Sequence, residues 1–161
     1  CNMNIEKFET LNSIYKPLHE RAKSIINELK KNNYKFEWGY FGQHYIKHNN
    51  NWLVEYFPIP VIDVNGICEI GIDLEHIFIE YKMLKQTALK YDFNKLTKYK
   101  FEVYGVENYL NDFYNAEMDL NNIKSRILES EEEEVGISIF LDIEICFDDI
   151  LVAIKDIELC R

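Results

Sequence analysis

A histidine beside a carboxylate can ligate a divalent metal or exchange a proton, and this chain offers one way of building such a group. It has four histidines. Asn65-Gly66 reads as the two-residue loop of a β-hairpin, since a type I′ turn needs positive φ at both central positions. That loop sets Glu55 opposite His76. A four-residue loop in the preceding hairpin sets His44 opposite Glu55 on its other side. His44, Glu55 and His76 then form a row across three strands, with neighbours about 5 Å apart. The row suits a metal site or a metal-assisted enzyme. The competing reading is a solvated sheet end, with a three-residue loop sending His44 to the other face. His44 and His48 do not make a metal pair by themselves, because their spacing along a strand spans about 13 Å.

The same register makes Asp63 and Cys68 cross-strand neighbours. A carboxylate raises the pKa of an adjacent thiol, so Cys68 reads as a packed side chain rather than a nucleophile. Tyr34, Phe36, Trp38, Tyr40, Trp52 and Tyr56 form an aromatic stripe. Trp38, Tyr40, Trp52 and Tyr56 are the candidates for lining a small-ligand pocket. Otherwise the stripe is the surface on which helices pack. Acidic groups gather at Glu131–Glu134, at Asp148 with Asp149, and at Asp73 with Glu75, without a calcium-loop pattern. G-x-S-x-G, P-loop, G-x-G-x-x-G, H-E-x-x-H and paired C-x-x-C motifs are absent, and no cofactor is evident.

The 161 residues carry a net charge of −10. That balance opposes binding to nucleic-acid phosphates and to anionic membrane surfaces, and it permits a basic protein partner. With 47% hydrophobic and 14% aromatic residues, the chain is expected to bury a core as one domain over residues 1–161. Cys1, Cys68, Cys146 and Cys160 are dispersed, which favours free thiols and a cytoplasmic protein. No run approaches the ~20 apolar residues of a membrane span, and no signal-peptide pattern is present. Met3 reads as an initiator behind a short leftover.

These residues need elements to position them. Phe8, Leu11, Tyr15, Leu18, Ala22, Ile25 and Leu29 mark an amphipathic helix. Pro17 either kinks it or divides it, and Asn32-Asn33 ends it. Period-two alternation marks strands around residues 34–40, 44–47, 52–64 and 67–81, with a bend near Glu75-His76. A two-residue Asn65-Gly66 loop pairs Val61 with Ile70, Ile59 with Ile72, and Phe57 with Leu74. A short helix over 83–91, a strand ending at Gly105, a long helix from Val106 to Ile127, a strand over 135–143 and a helix after Asp148-Asp149 complete the order αβββ(β)αβαβα. Strands cluster early and helices late. The expected class is α+β, a mainly antiparallel β-meander sheet covered by helices. The function expected is a non-enzymatic protein-binding or regulatory module that meets a basic partner. The alternative is a small-ligand or metal site at the His44/Glu55/His76 end of the sheet.

Overall fold

A computed structural model describes residues 5–48, 51–108 and 111–159, and at residues 7, 8, 41–48, 51–58 and 159 it describes the backbone path alone. The elements are α1 (Ile5–Lys31), β1 (Phe36–His48), β2 (Asn51–Val64), β3 (Cys68–Ile72), β4 (His76–Leu84), α2 (Lys85–Lys90), β5 (Lys100–Gly105), β6 (Asp112–Tyr114), α3 (Ile123–Glu129), β7 (Glu134–Asp142) and α4 (Phe147–Leu159). Short 3-10 turns cover Phe93–Leu96 and Leu120–Asn122. The strands form one sheet in the order β1-β2-β3-β4-β7-β5-β6, and every pairing is antiparallel. The class is therefore α+β, as the alternation of periods predicts. Among the described residues, no helix is long and apolar enough to cross a membrane.

Alternate strand positions build the core layer. Ile62, Val64, Ile70, Ile72, Ile77, Ile79, Val103, Val135, Ile137 and Ile139 are all buried. On this layer α1 sets Leu18, Ala22, Ile25 and Leu29, and α4 sets Ile150, Ala153, Ile154 and Ile157. Arg21 ties the two helices together, since its side chain donates to the carbonyls of Ile143 and Ile145 just before α4. α1 continues through Pro17 as one helix. Its end is the stop that the Asn pair predicts. Asn33 takes φ 59°, and the Tyr34 N–H reaches back to the Leu29 carbonyl at 3.0 Å, a Schellman closure.

Three sequence expectations are corrected. The Asn65-Gly66 loop has three residues, because Val64 pairs with Cys68 and the Ile67 N–H donates to the Val64 carbonyl. Only Gly66 has positive φ here (72°), which fits a type II rather than a type I′ turn. The register therefore slips by one residue: Ile62 faces Ile70, and Val61 faces Gly71. Ile59, Val61, Ile62 and Val64 are all buried, so β2 is apolar on both faces and its sequence could not choose a parity.

The run over 67–81 is two strands. Asp73 closes a tight turn by accepting from the N–H groups of Glu75 and His76, and Ile72 faces Ile77. The parity change near His76 is thus a reversal of the chain.

The long helix from Val106 to Ile127 does not form, and α3 occupies only its last part. Asn115 and Asp119 capture the N–H groups of Glu117 and Asn121 with their own side chains, and Glu132 captures those of Glu107 and Asn108. Such bonds satisfy the backbone outside a helix.

Candidate functional site

The polar positions between the core residues fall on the face of the sheet opposite α1 and α4. Glu37 lies between Phe36 and Trp38, Asp63 between Ile62 and Val64, Glu69 between Cys68 and Ile70, and Glu80 between Ile79 and Tyr81. The ladder brings them into register: Glu37 faces Asp63, Asp63 faces Glu69, and Glu69 faces Glu80. Glu80 then faces Ser138, and Ser138 faces Glu102. Five carboxylates and one hydroxyl thus line up across six strands, with directly opposed side chains about 5 Å apart. Glu37 and Asp63 are exposed, whereas Glu69, Glu80 and Glu102 are half-buried.

Crowding perturbs this row. Burial pushes the Glu69 carboxyl above the ordinary carboxylate range, the Lys82 ammonium opposes that, and the charges of Glu80 and Asp63 add to it. Glu102 is raised in the same way, by burial first and then by Asp112, with Lys100 opposing. The Lys82 ammonium sits 3.4 Å from Glu80, and Ser138 Oγ donates to Glu80 at 3.5 Å. Beside the row, the Phe78 ring lies over Gly71, and the Tyr104 ring lies over Gly136. Asp63, Glu69, Glu80 and Lys82 also line a shallow cleft of about 280 Å³ at the tip of the β2–β3 hairpin.

The proposed metal row is not assembled by this register. His76 lies on β4 opposite Asp142 of β7, and β3 separates β4 from β2. The hairpin joining β1 and β2 closes with His48 opposite Asn51, which by itself would set His44 against Glu55. Irregularities on either side of Ile46 then move the partner of His44 to Phe57. The side chains of His44, Trp52, Glu55 and Tyr56 lie outside the described residues. His76 stacks edge-to-face on Phe140 at 5.8 Å, and its Nδ1 lies 3.9 Å from Asp73. Among the described residues, no group of three His, Cys, Asp or Glu is placed to hold a metal ion. Cys68 faces Val64 rather than Asp63. Burial, with Glu158, Asp63 and Glu69 adding repulsion, pushes its thiol up to about 12, which disfavours a nucleophile.

Trp38 and Tyr40 share the helix-side face at the outer edge of the sheet. His19 Nδ1 and the Tyr40 hydroxyl are 2.6 Å apart, and the rings of Tyr15, His19 and Tyr40 stack within about 6 Å of one another. The Tyr15 hydroxyl is pushed up to about 12 by burial and by the neighbouring Tyr40. Trp38 remains 46% exposed and Tyr40 36%. Trp38 edges a surface groove beside α1. The carboxylate row escaped the sequence reading, although its signal was present: one acidic residue at the polar position of each of five strands.

Among the described residues, fold and surface together define an α+β protein on a seven-stranded antiparallel sheet, with α1 and α4 on one face and an acidic row on the other. The chain belongs to the family described as protein of unknown function (DUF3201), whose model matches residues 9–153. It is similar to a solved structure, a conserved hypothetical protein from Pyrococcus furiosus, at 24% identity and a TM-score of 0.63. That match covers 95% of this chain and 93% of the other. At this identity the likeness shows the fold alone. No curated protein matches the chain.

Proposed function

We propose that the protein is a non-enzymatic interaction module that receives a basic protein partner on the acidic face of its sheet. The reading rests on one observation, the row Glu37, Asp63, Glu69, Glu80 and Glu102 aligned by strand register. Each carboxylate faces another or a hydroxyl, so the row concentrates negative potential that arriving ammonium or guanidinium groups would relieve. The upward displacement of Glu69 and Glu102 supports this, because part of their charge is destabilised until a cation approaches. The net charge of −10 adds long-range attraction for the same class of partner.

The test uses a fluorescent lysine-rich helical peptide as probe, titrated at low and high salt. The triple variant Asp63→Asn, Glu69→Gln, Glu80→Gln is compared with Glu129→Gln, Glu131→Gln, Glu133→Gln, which removes equal charge elsewhere. The face variant is expected to lose most of the binding while the control keeps it, and added salt should weaken the parent. Equal losses in the two variants, or no binding by the parent, would count against the proposal.

A further inference from the structure

A sheet has two edges, and this one treats them differently. The β6 edge is only three residues long and offers little template. The β1 edge is thirteen residues long. Its register with β2 is unbroken from Phe36 to Phe41 and irregular beyond that point.

The backbone groups on this regular stretch alternate between inward and outward. The Asn65 N–H donates to the Lys35 carbonyl at 3.0 Å, and Lys35 with Asn65 continues the pairing of Phe36 with Val64. In an antiparallel ladder, hydrogen-bonded and non-bonded pairs alternate. Lys35, Glu37 and Gly39 therefore bond inward to β2, and Phe36, Trp38 and Tyr40 turn their N–H and C=O groups outward. Among the described residues, no strand pairs with β1 on that side. The stretch contains neither proline nor a bulge, two of the devices that block pairing at an edge. The residues whose backbone faces outward are also the aromatic ones, with Trp38 and Tyr40 substantially exposed.

We propose that this edge pairs with the same edge of a second copy of the chain, antiparallel, about a two-fold axis at Trp38. The edge is complementary to itself. The axis sets Trp38 against the partner's Trp38, and it sets Phe36 against the partner's Tyr40 twice, giving three aromatic cross-strand pairs on one face. On the other face Glu37 meets the partner's Gly39, so no like charges oppose each other directly.

The flanking helix fits the same axis. α1 runs antiparallel to β1, since His19 bonds Tyr40 while Leu29 bonds Tyr34. Glu20, Lys23 and Lys30 line the groove of about 590 Å³ beside Trp38, with the acid at one end and Lys30 at the other. Rotation about Trp38 runs the two grooves antiparallel, with the Glu20 end of one directed toward the Lys30 end of its mate. The two sheets become one continuous sheet, with both acidic rows on the same side.

Sedimentation equilibrium over a wide dilution series tests the pairing. The expected result is a reversible dimer of twice the 19.3 kDa chain mass. Trp38→Lys, which places a charge at the centre of the interface, should weaken the dimer about a hundredfold. Amide hydrogen exchange of the unmodified protein gives an independent readout. The Phe36, Trp38 and Tyr40 amides should exchange slowly when concentrated and quickly when diluted, with Glu37 and Gly39 protected throughout. If Trp38→Lys does not fold, as judged by circular dichroism, this alternating pattern decides the matter. A single-chain mass at every concentration would leave the edge to a strand of some other protein and overturn the proposal. So would a dimer in which the three outward amides exchange quickly at all concentrations.

Discussion

Glu69 on β3 stands directly opposite Glu80 on β4, two carboxylates facing each other in the middle of the sheet. Burial first, and then the facing Glu80 charge that Lys82 only partly relieves, make Glu69 keep its proton to a higher pH than an ordinary glutamate.

The displacement has a definite sign. A carboxyl whose folded-state pKa lies above its unfolded value binds protons more tightly when folded. Its contribution favours folding at pH values below the ordinary 4.5 and is lost as pH rises through the folded value. Glu69→Gln should therefore stabilise the protein at neutral pH by about 0.5 kcal/mol, the scale of a directly opposed like-charge pair. The advantage should vanish near pH 4. Thermal melts of both proteins across that range check it, and an advantage independent of pH would contradict the cause given.

Glu132 is one of four consecutive glutamates, yet it is only 4% exposed. Its carboxylate accepts from the N–H groups of Glu107 and Asn108, at 2.9 and 3.1 Å, and from Asn111 Nδ2 at 3.2 Å. Glu132→Ala should cost about 2–3 kcal/mol, because the orphaned donors retain their desolvation penalty. Gly105→Ala should reproduce much of the loss, since a Cβ there would strike the Glu132 side chain. Urea unfolding measures both, with a shifted midpoint and an unchanged slope.

Gly71 leaves room for a ring. A Cβ at Gly71 would collide with the Phe78 ring that covers it. Gly71→Ala should therefore destabilise by about 1–3 kcal/mol, the usual scale of overpacking. In a Phe78→Ala background the same change should cost much less. A double-mutant cycle measures that coupling, and additive effects would exclude the contact as the cause.

The sequence by itself determined the α+β class, because period-two and helical-period segments alternate along the chain, although the helical pattern over 106–127 did not become one helix. It also determined the stop of α1, because Asn33 tolerates a left-handed residue whatever packs around it. It could not determine register where a strand is apolar on both sides. Ile59, Val61, Ile62 and Val64 suit either parity, so the three-residue loop at Asn65-Gly66 was decided by packing against β3 and α1. That single-residue slip, the turn at Asp73 and the irregularities around Ile46 together take His76 and His44 away from Glu55. The same tertiary pairing aligns Glu37, Asp63, Glu69, Glu80 and Glu102, residues scattered over more than sixty positions, into one row. Each is locally only the polar member of an alternating strand. What joins them is strand order, a property of the whole sheet, since β7 inserts between β4 and β5 and no local pattern announces it.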